Sequence, residues 1–235
     1  MKEVSLCIVS YNNSDGVKAA IDSVRPLIKD VVIVDQGSSS DESIKLKSLA
    51  DVYMKTTNKG NADYDRQYCY ALARSEYILA MDSDEVIETE EVVKLQTLIN
   101  KYDFDVVWFL FQNFIKFQTF KVDLHDLLHD DPHPRLWKKR FGVNGSSVET
   151  MQWPHEAHRF PNINSPNQIF SQLKFNHTRE LEIVLKTHIR RKNVVDGQAQ
   201  QVEKNFIKAV MKKFDKEVVE TVELHIPELK EYLRN

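Results

Sequence analysis

Asp82, Asp84 and Glu85 place three carboxylates within four positions, directly behind the mainly apolar run Tyr77-Ile78-Leu79-Ala80-Met81. An apolar run bounded by polar residues reads as a buried strand. These acids therefore stand where a strand leaves its sheet, and ligands of open α/β sheets bind just outside the carboxyl ends of strands. With a turn between them, Asp82 and Asp84 can converge on one cation. Hard divalent ions such as Mg²⁺ or Mn²⁺ take carboxylate oxygens, and Mg²⁺ is often held by one or two carboxylates together with substrate phosphates. That chemistry suits a nucleoside diphosphate. The same residues allow a plainer reading, in which Asp82-Ser83 caps a helix starting near Val86 and Glu85 and Glu88 favour its N-terminal dipole.

His125, His129 and His133 recur every four residues, a spacing that on a helix would share one face and suggest Zn²⁺. Pro132 and Pro134 interrupt any helix there and Asp130-Asp131 favours a loop, so a zinc site is not expected. From Phe114 to Phe160 aromatics, histidine and proline are dense and no clear period survives. That stretch reads as loops and short strands built over a site.

The elements that must position these groups alternate along the chain. Val4 to Val9 is a near-continuous apolar run, as in a parallel strand buried on both faces. Ser10-Tyr11-Asn12-Asn13 is the polar turn at its end, and Ser14 or Asp15 is placed to cap a helix carrying Val17, Ala20, Ile21 and Val24. Val31 to Val34 is a second strand, closed by the loop signal Asp35-Gln36-Gly37-Ser38-Ser39-Ser40-Asp41. A short helix over Ile44–Leu49, a strand at Asp51–Met54, a turn at Asn58–Asn61 and a helix over Asp63–Ala73 lead into the Tyr77 strand. The order β-α-β-α-β-α-β predicts a mostly parallel sheet with right-handed crossovers. Glu90–Asn100 has helical spacing, and strands are expected at Asp105–Phe111 and Gln168–Phe175. Leu181–Met211 reads as mostly helical with a break at Asp196-Gly197, and the tail from Glu217 as amphipathic with a break near Pro227.

Composition sets outer bounds. The 235 residues are 42% hydrophobic and 29% charged, ordinary for a globular protein and against disorder or a collagenous chain. Cys7 and Cys69 lie inside apolar or helical patterns and read as buried thiols, not a disulfide framework. The net charge of −3 is unevenly spread, with a first part, to residue 105, that is acidic, and a second part that is basic and holds all eight histidines. No apolar run is long enough for a bilayer and no leader is evident. The expectation is a cytoplasmic protein, or one peripheral at the inner membrane face.

The motifs, taken together, resemble the inverting glycosyltransferases of family 2, with the GT-A fold. The resemblance runs from Val4-Ser5-Leu6-Cys7-Ile8-Val9-Ser10-Tyr11-Asn12 through Val31-Val32-Ile33-Val34-Asp35-Gln36-Gly37-Ser38 and Asn58-Lys59-Gly60 to Arg66-Gln67 and Ala73–Glu85, the last holding an Asp-x-Asp motif. These pieces in the right order are far more specific than any one. Pro134-Arg135-Leu136-Trp137-Lys138 and Trp153-Pro154-His155-Glu156 are similar to segments of a bacterial subgroup that acts on lipopolysaccharide cores. The resemblance implies a GT-A, Rossmann-like α/β domain over 1–180, with a nucleotide-sugar half at 1–105 and an acceptor half at 106–180. Residues 181–235 are then a helical C-terminal extension.

The resemblance also implies roles. Ser10, Tyr11, Asp35 and Gln36 would hold the base and ribose, probing a UDP-linked donor. Many members carry a second Asp where this chain has Gln36, whose amide can both donate and accept. Arg66 would touch the base or diphosphate; otherwise it is a surface arginine paired with Asp63 or Asp65. Asp82, with Ser83, would hold the ribose and donor, Asp82 and Asp84 a Mn²⁺ or Mg²⁺ ion, and His177 would complete the metal shell or touch the diphosphate; otherwise it is structural. Arg135 and Lys138 could offset leaving-group charge. Glu156 matches the carboxylate that takes the acceptor's proton; otherwise it pairs with Arg159 or His158.

The acceptor implied is a cell-surface glycan or glycolipid precursor. A DNA acceptor is the alternative, with Trp108, Phe114, Trp137 or Trp153 around a flipped hydroxymethylated base, although a pI near 6.3 is low for a DNA binder. A nucleotidyltransferase would share the sheet and metal but opens on a glycine-rich loop, and here the first glycine of the turn region is Gly16. A silent binding module is the third class. Oligomeric state is not legible.

Overall fold

The computed structural model describes residues 2–58, 62–118, 120–124, 132–139, 167–185 and 197–229. They form two compact units, Met1–Phe111 with Pro132–Asn176, and Gln112–Asp131 with His177–Asn235. Residues 112–131, expected within the acceptor half, thus group with the C-terminal residues.

The first unit is built on the alternation read from the sequence. Strands β1 (Val4–Ser10), β2 (Asp30–Asp35), β3 (Val52–Lys55) and β4 (Tyr77–Asp82) are interleaved with helices α1 (Ser14–Val24), α2 (Ser40–Leu49) and α3 (Asp63–Leu72). β1 pairs in parallel with both β2 and β4, and β2 with β3, giving the order β3-β2-β1-β4. The chain winds outward from β1 in one direction and then returns to its other side. The strand order reverses between β1 and β4, and the crevice at such a reversal is where doubly wound sheets bind ligands.

Beyond β4 the sheet turns antiparallel. β8 (His133–Lys138) pairs with β4, and β6 (Val106–Phe117) with β8. The sheet continues through β9 (Gln168–Glu180) to β5 (Glu85–Val86), a two-residue strand. β6 and β9 are longer than their apolar patterns predict, because each runs on past residues 111 and 176 into the second unit. Helix α4 (Thr89–Lys101) follows β5.

Both faces of the parallel strands are covered, which is why they read as continuous apolar runs. Leu6, Ile8, Leu79 and Met81 pack with Val17, Ala20, Ile21 and Val24 of α1 and Val92, Leu95 and Ile99 of α4. Cys7, Val9, Ile78 and Ala80 pack on the other face with Cys69 and Tyr70 of α3 and Trp137 of β8. Cys7 and Cys69 are free, buried thiols, and burial pushes the Cys7 thiol up.

In the second unit β7 (Phe120–Asp123) pairs antiparallel with the end of β6. Ile115, Phe117 and Leu124 form one core with Leu181, Val184 and Leu185, helix α5 (Gly197–Met211) and helix α6 (Lys216–His225). α5 begins at Gly197, and residues 186–196, which include one side of the expected break at Asp196-Gly197, lie outside the described residues. Among the described residues no helix is long and apolar enough to cross a membrane.

Candidate active site

The three carboxylates behind Met81 do not start a helix. Asp82 is the last residue of β4, Ser83-Asp84 is a tight turn, and Glu85 opens β5. The next helix starts at Thr89, with Glu88 at its N-cap position. The helix-cap reading is thereby overturned. The reason is that β5 finds a partner strand in β9, which the local sequence cannot reveal.

Asp82 stands beside β1 at the reversal point, its backbone opposite Val9. Arg66 Nη2 donates to Asp82 Oδ1 at 2.5 Å, and Arg135 Nη2 to Asp82 Oδ2 at 3.3 Å. Arg66, carried by α3, thus reaches the end of β4. Arg135 Nη2 also donates to Glu85 Oε1 at 2.5 Å, and Glu85 Oε2 accepts the Asp82 N–H at 2.8 Å. Glu85 thus braces both the strand end and the cation beside it.

A β-bulge aims Arg135. Along β6 and β8, Val107 faces Leu136 and Trp108 faces Pro134, so Arg135 is an extra residue between two successive pairs. A bulge breaks the alternation of side chains and redirects one of them. Arg135 turns toward Asp82 and Glu85 and lies over the Phe111 ring at 4.9 Å. Lys138, expected beside Arg135 at the leaving group, is elsewhere. It sits opposite Tyr77 at the start of β4, about 16 Å along the strand from Asp82 at ordinary strand rise, and pairs with Asp103 at 2.8 Å and Asp105 at 3.4 Å.

The first turn is tied to this one by residues the sequence did not single out. Asn13 caps α1, accepting the Gly16 N–H on Oδ1 at 3.2 Å, a role expected of Ser14 or Asp15. Its Nδ2 donates to Ser83 O at 3.1 Å and Ser83 Oγ at 3.0 Å. Gly16 lies so close that a Cβ there would meet Ser83 O at 2.1 Å. The N-cap preference of Asn is a legible signal; its second partner, seventy positions on, is not.

Ser10 ends β1 opposite Asp35, its buried Oγ making no hydrogen bond among the described residues. Tyr11, at the same sheet edge, is 49% exposed. Asp35 is fully buried, and its carboxylate accepts from Ser38 N (2.8 Å), Ser43 Oγ (2.6 Å) and Tyr53 OH (2.6 Å). Burial alone would raise its pKa, but these bonds outweigh it and hold the carboxyl below its ordinary value. Gln36 Nε2 donates to Asp65 Oδ2 at 2.7 Å, and Thr56 Oγ1 shares that oxygen at 3.0 Å. Asp35 is therefore anchored to α2 and β3, and Gln36 to α3.

His177 lies in the second unit, with Nδ1 against Asn113 Oδ1 at 2.9 Å and Nε2 accepting from Arg179 Nε at 3.0 Å. Serving as a metal ligand would require Nε2 to release Arg179. Glu156, His155, Trp153, His125, His129, Lys59 and Gly60 lie outside the described residues. Trp137, offered as a partner for a flipped base, is fully buried and unavailable for that role.

The donor set fits a hard divalent ion. Asp82 and half-buried Asp84 flank one turn residue, and two carboxylates suffice for Mg²⁺ when phosphates and water fill the other positions. Among the described residues no group of three or more His, Cys, Asp or Glu is gathered for a metal.

Comparison with known proteins agrees with this architecture. Residues 5–159 match the model of glycosyl transferase family 2. Among solved structures, residues 1–349 of S. aureus TarS superpose with a TM-score of 0.50 at 13% identity, covering 87% of this chain and 69% of that one. M. tuberculosis glucosyl-3-phosphoglycerate synthase, crystallised with Mn²⁺, UDP and phosphoglyceric acid, gives a TM-score of 0.43 at 13% identity, covering 60% of this chain and 57% of that one. A second crystal structure of that synthase gives 0.39 at 15%, covering 47% and 45%. The chain thus spans about half the length of these synthase structures. A search of curated proteins finds no significant match. With its α/β sheet, its Asp-x-Asp turn at the strand reversal and a family match over most of its length, the chain belongs to glycosyl transferase family 2.

Proposed function

We propose that this protein transfers a sugar from a UDP-linked donor to a hydroxyl of a carbohydrate acceptor, with inversion at the anomeric carbon and with Mn²⁺ or Mg²⁺ as cofactor. The observation that carries this reading is Asp82, closing β4 at the reversal point between the guanidinium groups of Arg66 and Arg135. Alternating carboxylates and guanidinium groups suit a diphosphate with its cation, because the arginines can pass their hydrogen bonds from Asp82 to phosphate oxygens.

In this reading Asp82 and Asp84 hold the ion, which when bound neutralises charge on the departing diphosphate. Arg66 and Arg135 donate to the same oxygens as charge builds on them. Exposed Tyr11 offers its ring to the base, while Ser10, Asp35 and Gln36 shape the edge on which base and ribose rest. Glu85 keeps Arg135 in place from below. The acceptor O–H attacks the anomeric carbon from the face opposite the diphosphate, the carbon–oxygen bond to the diphosphate breaks with its electron pair, and the proton goes to a carboxylate. Glu156 is that base by its match to the family motif. The acceptor class, a cell-surface glycan or its precursor, rests on the resemblance of the Pro134–Lys138 and Trp153–Glu156 segments. Membership of the family sets the nucleotidyltransferase alternative aside.

The test is a thermal-shift series with UDP and UDP-sugars, with and without Mn²⁺, on the wild type and Asp84→Ala. A ligand that binds only the folded state raises its melting temperature by mass action. The reading expects a metal-dependent shift with UDP that Asp84→Ala abolishes. A wild type indifferent to every nucleotide would sink it.

A further inference from the structure

The sheet carries a stacked aromatic pair at the margin of one core. Trp108 of β6 and Phe170 of β9 stack with ring centroids 5.3 Å apart and planes inclined by 12°. Phe170 is 66% exposed. Trp108 is held firmly, its Nε1 donating to Gln168 Oε1 at 3.0 Å and its carbonyl accepting from Ser171 Oγ at 2.7 Å.

The location relates the pair to the site. Trp108 packs against the core that contains Cys69 and Tyr70 of α3 and Ala80 of β4, so it shares the sheet face from which α3 extends Arg66. Its backbone partner is Pro134, the neighbour of Arg135, whose guanidinium reaches Asp82. From β4 to β9, which carries the exposed ring, is three inter-strand steps, about 14 Å.

We infer that Trp108 and Phe170 form a stacking platform for a pyranose ring of the acceptor. This rests on the glycosyltransferase reading and adds the acceptor's chemistry to it: a glycan with at least one ring whose C–H face can lie flat on an aromatic. Aromatic faces are electronegative and attract the weakly positive hydrogens of such a face. A fixed ring also loses little entropy when it binds.

The test uses an array of pyranose-containing oligosaccharides together with a single-stranded oligonucleotide, probed with wild type, Phe170→Ala and Phe170→Tyr. Exposed Phe170 can be truncated without opening the core. The expected result is glycan binding by the wild type, weakened at least tenfold in Phe170→Ala and kept in Phe170→Tyr, while all three show the same Mn²⁺-dependent shift with UDP. Equal glycan binding by wild type and Phe170→Ala, no glycan bound despite a UDP shift, or oligonucleotide bound in place of glycans would each overturn the platform. Loss of the UDP shift in the wild type itself would instead remove the underlying reading, and the two failures are told apart by that control.

Discussion

Arg135 Nη2 lies 2.5 Å from Glu85 Oε1, and both side chains are almost wholly removed from water. A buried cation without its partner costs more than the pair contributes, because its desolvation is no longer offset. Glu85→Ala is therefore expected to lower the unfolding free energy by about 3 kcal/mol, the lower end for broken buried pairs, since Asp82 remains as a second acceptor. Urea unfolding followed by far-UV circular dichroism measures it. A loss below about 0.5 kcal/mol, the range of surface substitutions, would show that the pair does not brace the site.

Gly16 supplies a sharper geometric test. An ordinary helical glycine is stabilised by about 0.5–1 kcal/mol on replacement by alanine. Here the new Cβ would lie 2.1 Å from Ser83 O and 2.5 Å from Asn13 Nδ2. The sign should reverse, with a cost of about 1–3 kcal/mol from overpacking. The displaced Ser83-Asp84 turn should also weaken the Mn²⁺-dependent shift with UDP. A Gly16→Ala protein that melts higher than the wild type would contradict the close approach.

Asp35 predicts a pH dependence. Its carboxyl is held below the ordinary value by Ser38, Ser43 and Tyr53 against the cost of burial. A depressed folded pKa means that the unfolded chain takes up the proton first as pH falls. The contribution of Asp35 is fully present above its unfolded value of about 3.9 and is lost as pH falls through the lower folded value. The stability gap between wild type and Asp35→Asn should be widest near neutrality and narrow below about pH 4. A gap independent of pH in denaturant titrations would remove this account.

Lys138 and Arg66 should separate cleanly. Lys138 is bound to Asp103 and Asp105 near the start of β4, whereas Arg66 is bound to Asp82 at its end. Lys138→Ala is expected to lower the melting temperature and leave the metal-dependent UDP shift intact. Arg66→Ala should weaken UDP binding roughly tenfold or more, the loss of one charge-assisted contact of about 1.5–3 kcal/mol. Calorimetric titration of UDP with Mn²⁺ into both variants decides it, and a reversal of the two outcomes would refute the placement of these cations.

Local pattern carried much of this protein. Unbroken apolar runs at Val4–Val9, Val31–Val34 and Tyr77–Met81 announce strands buried on both faces, and the polar residues behind each mark the sheet edge where a ligand sits. Those features depend on neighbours within a few positions, so Ser10, Asp35, Asp82 and Asp84 were legible as one edge before any coordinates. Tertiary structure decided what those residues touch. Arg66 reaches Asp82 through the packing of α3, Arg135 through an extra residue between Pro134 and Leu136, and Asn13 reaches Ser83 across three crossovers. Each depends on strand order and register, which arise from long-range pairing and leave no periodic trace. Asp82-Ser83 reads equally well as a helix start until β5 finds β9, and Lys138 looks like a neighbour of Arg135 until the antiparallel register sends it to the other end of β4.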